Sequence, residues 1–175
     1  MATRHGDLVL VLEDQKVVNG QSKSLEVCTM IAKLKVEVWL FDGKELQSIK
    51  LTGGRLGVAN VHTFVPATVA EHVLPAAFCE WVSRRMSRVK RLVLVVDLQF
   101  GEKAAYGKEV FGAFSKLNEM TMQIIPIVYS RWANEDSRAE LMKYFGIDDG
   151  NRVLNRDVDP EEALVREVDK VLNTA

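Results

Sequence analysis

A lysine and a serine stand side by side at positions 23 and 24, just after a polar segment that contains Asn19 and Gly20. Glycine lets backbone N–H groups close on a phosphate, and lysine neutralises its charge. Asn19, Gly20, Lys23 and Ser24 are therefore candidates for nucleotide binding. In the alternative interpretation, Lys23 and Ser24 only begin a helix.

Two aspartates directly follow apolar runs of the strand type, Asp42 after one and Asp97 after another. In an open parallel sheet, ligands bind beyond the carboxyl ends of the strands. Asp42 and Asp97 are therefore candidates to hold magnesium or a phosphoryl group, and Tyr129 and Ser130 take the same place after a further strand. Alternatively, Asp42 forms a turn with Gly43, and Asp97 is a cap or turn residue.

A basic stretch and one tryptophan are candidates for contact with a protein partner. Arg84, Arg85 and Arg88 lie at the end of a helical pattern, where cations also offset the helix dipole and need no partner. Trp132 follows a strand in a polar context, so it is expected to be exposed and to serve as an interface anchor.

No spacing predicts catalytic or metal-ligating residues. His5, His62 and His72 do not have the spacing of a metal site. Cys28 and Cys79 lie in apolar helical patterns and are expected to be buried, reduced thiols.

The second half of the chain alternates strand and helix patterns. Residues 92–96 and 124–128 are apolar and β-branched, and a helical pattern follows each; a brief strand at 152–154 and a last helix complete the series. Strands that are apolar on both faces belong to a parallel sheet covered by helices. The sequence therefore predicts an α/β fold, a three-layer α/β/α arrangement with a mostly parallel sheet.

The first half shows similar patterns. They predict, in order, a strand at 7–12, a loop at 13–23, a helix at 24–35, a strand at 36–41, a hairpin partner at 46–51, a flexible loop at 52–57 and an extended segment at 58–65.

Capping patterns indicate where two later helices begin. Thr68-x-x-Glu71 and Ser137-x-x-Glu140 both have the form of a capping box. Pro75 must either kink the first of these helices or mark its real first turn.

A helix is also predicted over 103–118, although Gly107 and Gly112 weaken it by roughly 1 kcal/mol each. Glycines on a helix can let it lie close to the sheet or to a partner.

The composition fits one domain over residues 1–175, with 47% hydrophobic and 27% charged residues. The formal net charge of −1 gives no general attraction to nucleic acid or to an anionic membrane. No apolar stretch has the length of a signal peptide or a membrane span. We therefore expect a soluble intracellular protein, cytoplasmic or nuclear.

The order of strand, loop, helix, paired strands, helix and three strand–helix units resembles the Ras/Arf-like small GTPases, over nearly the whole chain. Their phosphate loop, G-x-x-x-x-G-K-[ST], corresponds to residues 17–24, where Val17 and Ser22 replace both glycines. Their D-x-x-G element falls on residues 51–54, and their N-K-x-D element falls on residues 129–132. Neither is retained.

A weaker resemblance is to the ParA/MinD-like partition ATPases, whose loop is K-G-G-x-G-K-[ST]. Aligned on Lys23, the chain keeps only Gly20 of the three glycines. Asp42 would then be the aspartate that ends one strand of the sheet, and Asp97 the one that ends a later strand.

The small-GTPase resemblance implies a pseudo-GTPase, an interaction or scaffold subunit of a larger protein assembly with little or no nucleotide hydrolysis. Its partners would be proteins, and no cofactor would be needed. The alternative is an active or weak P-loop NTPase of the partition or small-GTPase type, which would use Lys23 and Ser24 to bind GTP or ATP with magnesium.

Overall fold

The computed structural model describes residues 4–14, 17–18, 21–64, 73–100, 105–117 and 121–174. Helices and strands alternate along these residues. They are β1 (Asp7–Leu12), β2 (Val17–Val18), β3 (Gln21–Ser22), α1 (Lys23–Ala32), β4 (Glu37–Phe41), β5 (Glu45–Thr52), β6 (Arg55–Thr63), α2 (Pro75–Arg85), β7 (Arg91–Val96), α3 (Tyr106–Ser115), β8 (Gln123–Tyr129), α4 (Glu135–Phe145), β9 (Val153–Leu154) and α5 (Glu161–Asn173).

Seven of the strands form one sheet in the order β6-β5-β4-β1-β7-β8-β9. β1 lies between β4 and β7 and is parallel to both, and β8 and β9 continue the parallel part. β5 and β6 extend the other side of the sheet as an antiparallel hairpin. The prediction of a mostly parallel sheet is confirmed.

Helices cover both faces of the parallel strands, which explains why those strands are apolar throughout. Leu8 to Leu12 are at most 1% exposed. Leu10 packs into the core that contains residues of α2, α3 and α4, whereas Val9 and Val11 pack into the core that contains residues of α1 and α5. The result is the predicted three-layer α/β/α arrangement.

The predicted loop at 52–57 is wrong, because this segment is the tight turn of a hairpin. Gly53 and Gly54 have φ angles of 58° and 79° and join β5 to β6. Two successive residues with positive φ give a turn that matches the twist of paired strands, and glycine adopts it without a steric penalty. β6 therefore begins at Arg55, three residues earlier than the predicted extended segment.

Two predicted helix starts are resolved by the described residues. Pro75 is the first residue of α2, so it marks the real first turn; the Thr68–Glu71 pattern lies outside the described residues. α4 begins at Glu135, because Asn134 and not Ser137 is its N-cap. The Asn134 side chain accepts from the Ser137 N–H at 3.0 Å, and the Ser137 hydroxyl accepts from the Asn134 N–H at 3.1 Å.

Cys28 and Cys79 are free, buried thiols, as predicted. Within the described part of the chain, every helix is too short or too polar to cross a bilayer.

Candidate functional site

Four polar side chains meet where the parallel strands end. Glu13 follows β1, Asp97 follows β7, Ser130 follows β8, and Arg156 lies two residues beyond β9. Parallel neighbours have their carboxyl ends at the same edge of the sheet, so residues distant in sequence come together there. Glu13 is 2% exposed, Asp97 5% and Ser130 0%. We call these four residues the carboxyl-end cluster.

Arg156 is the cation of this cluster and contacts both of its carboxylates. Its Nη2 donates to Glu13 Oε1, and its Nη1 donates to Asp97 Oδ2 at 3.1 Å. The guanidinium also lies over the ring of Tyr129, 5.6 Å from the ring centroid. Two buried carboxylates are thus held by one planar, permanently charged group.

Ser130 connects the ends of β7 and β8. Its hydroxyl donates to Asp97 Oδ1 at 2.9 Å and lies 3.4 Å from the backbone nitrogens of Leu98 and Trp132, which donate to it. The serine is therefore bonded to a carboxylate and to backbone amides. This arrangement fixes two loops and does not form the serine–histidine pair of an activated nucleophile.

Burial controls the protonation of the two acids. Removal from water raises the pKa of Glu13 from 4.5 to about 7; Arg156 opposes this rise and the negative charge of Asp97 adds to it. Burial also raises the pKa of Asp97, against the hydrogen bond from Ser130 and the charge of Arg156. The cluster can therefore hold a proton at near-neutral pH.

This protonation predicts a stability that depends on pH. Between about pH 4.5 and pH 7 the folded chain binds more protons than the unfolded chain, so the free energy of unfolding should fall as the pH rises, by at most about 1.4 kcal/mol per pH unit for Glu13. Urea unfolding at several pH values measures this slope. In Glu13→Gln, the free energy of unfolding should depend less on pH near pH 7. An unchanged slope in that variant would contradict the assignment to Glu13.

Of the candidate nucleotide-binding residues that the structure describes, Ser24 and Asp97 lie at the carboxyl-end cluster, whereas Lys23 and Asp42 make other contacts. Lys23 begins α1 with its ammonium 3.4 Å from Glu26, and its side chain is 46% exposed. Ser24 is buried; its hydroxyl lowers the pKa of the neighbouring Glu13 and lies 3.5 Å from the carbonyl oxygen of Asp14. Ser24 therefore supports the carboxyl-end cluster, whereas Lys23 forms an ordinary surface pair.

The segment before Lys23 also differs from a phosphate loop. Val17 pairs with Ser22 and Val18 with Gln21 in a short antiparallel ladder, at the place where the predicted loop should wrap a phosphate. Asn19 and Gly20 lie outside the described residues.

The two aspartates have different roles. Asp42 shapes the turn between β4 and β5, since its Oδ1 accepts from the backbone N–H of Lys44 at 2.9 Å and of Glu45 at 2.7 Å. Asp42 is therefore the turn residue of the alternative interpretation. Asp97 lies in the carboxyl-end cluster, as the strand-end rule indicated.

The candidate interaction residues make different contacts. Arg85 contacts the ring of Trp81, with 4.9 Å from the guanidinium carbon to the centroid, and Arg84 is its exposed neighbour in the last turn of α2. Arg88 binds both carboxylate oxygens of Glu37, at 3.0 and 3.1 Å. Trp132 is 52% exposed, as predicted.

The sequence reasoning missed Glu13 and Arg156. Both follow strands of the same sheet, so the rule that selected Asp97 and Ser130 applies to them too. The sequence pattern instead places Glu13 in the following loop and predicts only a brief edge strand before Arg156.

Comparisons with known proteins identify no family for this chain. No family model matches it, and no curated protein matches it. Among solved structures, the inactive zymogen of the C11 protease from Parabacteroides distasonis matches with a TM-score of 0.44 and 10% sequence identity. The match covers 75% of this chain, and the chain spans 43% of the length of that protease chain.

The predicted relationship to small GTPases, and with it the weaker one to partition ATPases, is wrong. A solved structure that the chain matches is that of a protease zymogen. The order of elements that suggested the relationship is shared by unrelated α/β folds. The residues that should have carried it are used otherwise, since Lys23 pairs with Glu26 and Asp42 forms a turn.

Proposed function

We propose that this chain is a non-catalytic interaction subunit of a larger protein assembly. The observation that carries the proposal is β6, the strand at one edge of the sheet. None of its nine residues is buried. Among the described residues only β5 pairs with it, so none of them covers the other side of its backbone.

The open strand carries apolar side chains on one face. Leu56 is 47% exposed and Val58 is 43% exposed. Leu56 is paired with Leu51 and Val58 with Ile49, and paired residues of an antiparallel ladder point to the same face. The apolar surface of β5 therefore continues onto β6, beyond the helices that cover the rest of the sheet.

A long, open edge with exposed apolar residues invites pairing with another chain. Proteins that use such an edge add a strand from a partner, with backbone hydrogen bonds for affinity and side chains on alternate positions for specificity. An assembly role explains why β6 has valine and leucine at exposed positions, where a strand that faces only solvent would more often have charged residues.

The carboxyl-end cluster supports the same proposal. Arg156 lies where α/β sheets usually bind their ligands, and it is bonded there to Glu13 and Asp97. The side chains at this place stabilise one another, which suits a rigid support for an interaction surface.

The test is the size of the native species in an extract of cells that produce the protein. We expect the wild-type chain to elute well above its own 19.7 kDa on size exclusion, and Val58→Lys to elute at that mass, since a charge on an open edge opposes pairing. Val158→Lys is the matched control, because Val158 is 79% exposed outside the sheet. A wild-type chain that elutes as a monomer would refute the proposal.

A further inference from the structure

A groove with a volume of about 930 Å³ lies between the end of α1, the start of β4 and the β5–β6 hairpin. Its apolar lining includes Ile49, Leu51 and Leu56. Leu56 is 47% exposed and Leu51 half-buried, so a large apolar side chain placed in the groove would cover surface that water now contacts.

The rim of this groove is basic. Lys33, Lys35 and Lys50 are exposed on it, and none of the carboxylates among the described residues lies within ion-pair distance of these three lysines. Arg88 also lines the groove but is neutralised by Glu37. In a chain with a net charge of −1, three unpaired lysines beside one groove form a local positive field.

Lys35 has an unusual backbone conformation. Its φ is 59°, in the left-handed region, and it is the only described residue other than glycine with a positive φ. A side chain with a Cβ is disfavoured there, and glycine is the residue usually found. A lysine at this strained position beside the groove is explained if its positive charge binds a ligand in the groove.

We propose that this groove binds a segment of a partner protein in which acidic side chains flank a large apolar side chain. The apolar side chain would lie against Leu51 and Leu56, and the acidic ones would pair with Lys33, Lys35 and Lys50. This inference rests on the proposed function as an interaction subunit and names the chemistry of the partner.

Charge and shape select this occupant over others. A second copy of the chain docked about a two-fold axis at the groove would bring the same lysines against one another, and like charges across an interface oppose association. A nucleic acid would leave the apolar floor without a partner. A lipid surface is flat on this scale, whereas the site is a concave groove between a helix and a hairpin.

The test is a selection of displayed random peptides on the full chain, followed by fluorescence anisotropy of the enriched peptides. We expect enriched peptides to carry Asp or Glu beside Leu, Ile, Phe or Trp. Their binding should weaken about tenfold in Lys33→Glu, Lys50→Glu and Leu56→Ser, and also when NaCl is raised from about 50 to about 300 mM. Lys116→Glu, which makes the same charge change at the C-cap of α3, should bind like wild type.

Lys35→Gly separates binding from folding. Glycine relieves the positive φ, so the melting temperature should rise by a few degrees, while loss of the ammonium should weaken peptide binding about fivefold. A variant that is more stable yet binds less cannot be explained by misfolding.

Several outcomes would overturn the groove assignment. These are no enrichment, enriched peptides without acids, equal binding by the groove variants, concentration-dependent dimerisation lost in Lys33→Glu, or binding to phosphatidylserine vesicles lost in that variant. A chain that is monomeric in the cell extract yet selects acidic–apolar peptides would refute the proposed function and support the groove. A chain in a large native species that selects no such peptides would refute the groove alone.

Discussion

Arg156→Met is expected to lower the free energy of unfolding by about 3–5 kcal/mol, because it removes one partner of a buried ion cluster. Arg156 is the cation bonded to both Glu13 and Asp97, which are 2% and 5% exposed. Without it, two buried carboxyl groups face each other with no positive charge between them. Both would have to take up protons to remain buried. Urea unfolding at pH 7 measures the loss.

Two causes of the lost stability can be distinguished: unpaired buried charge and the removal of side-chain volume. In the triple variant Arg156→Met, Glu13→Gln, Asp97→Asn the buried charges are gone, and we expect most of the lost stability to return. Arg156→Lys should lie between wild type and Arg156→Met, since an ammonium keeps the charge but lacks the planar fork that contacts both acids. A loss below about 1 kcal/mol in Arg156→Met would contradict the central role of the guanidinium.

The sequence predicted the layers of the fold because hydrophobic periodicity reports directly which faces are buried. Residues 92–96 and 124–128 are apolar at every position, and only strands covered on both faces tolerate this pattern. The sequence pattern at Gly53 and Gly54 is compatible with a flexible loop, but paired glycines between two extended segments are also typical of a tight turn. The local sequence is compatible with both a loop and a tight turn. The pairing of β5 with β6 produces the tight turn.

The carboxyl-end cluster could be predicted only in part. The rule that ligand-facing residues follow parallel strands selects Asp97 and Ser130 from sequence alone. The ion pair between Glu13 and Arg156 joins positions 143 apart, and it depends on β1, β7, β8 and β9 ending at one edge. Sheet order is a property of the whole chain and cannot be read from any one segment.

The resemblance to P-loop proteins is wrong because the short motif behind it contains little information. A glycine followed by Lys23 and Ser24 is compatible with a phosphate loop, with the first turn of a helix, or with both. In the folded chain, Lys23 faces Glu26 one turn along α1, and Ser24 is buried beside Glu13. β2 and β3 pair just before Lys23, so the spacing of Gly20, Lys23 and Ser24 is the same as in a phosphate loop although the backbone forms a short antiparallel ladder.

Gly107→Ala is expected to cost about 3 kcal/mol of folding stability, in contrast to the usual gain from alanine in a helix. A Cβ at position 107 would lie 2.1 Å from the carbonyl oxygen of Asp97 and 2.6 Å from Cγ1 of Val96. Neither neighbour is free to withdraw. Val96 is a buried residue of β7, and the Asp97 N–H donates to the Leu12 carbonyl at 3.0 Å. Helix α3 must therefore move away from the sheet.

Gly112→Ala provides the matched control in the same helix. There the nearest atom to an added Cβ is the hydroxyl of Tyr144 at 3.2 Å, the end of a side chain that is 45% exposed and can shift. We expect a change within about 1 kcal/mol, because better helix propensity offsets the displaced hydroxyl. Equal losses for the two variants in urea unfolding would show that helix propensity, and not contact with β7, sets the role of Gly107.

The position of Gly107 also connects this helix to the carboxyl-end cluster. The carbonyl that its Cβ would strike belongs to Asp97, whose side chain contacts Arg156 and Ser130. Moving that residue should loosen the cluster and let water reach Glu13, which would lower its raised pKa. In Gly107→Ala the fall of stability between about pH 4.5 and pH 7 should therefore become shallower, whereas in Gly112→Ala it should remain as in wild type. If Gly107→Ala is destabilised but its free energy of unfolding depends on pH as in wild type, then helix α3 moves while the carboxyl-end cluster stays in place.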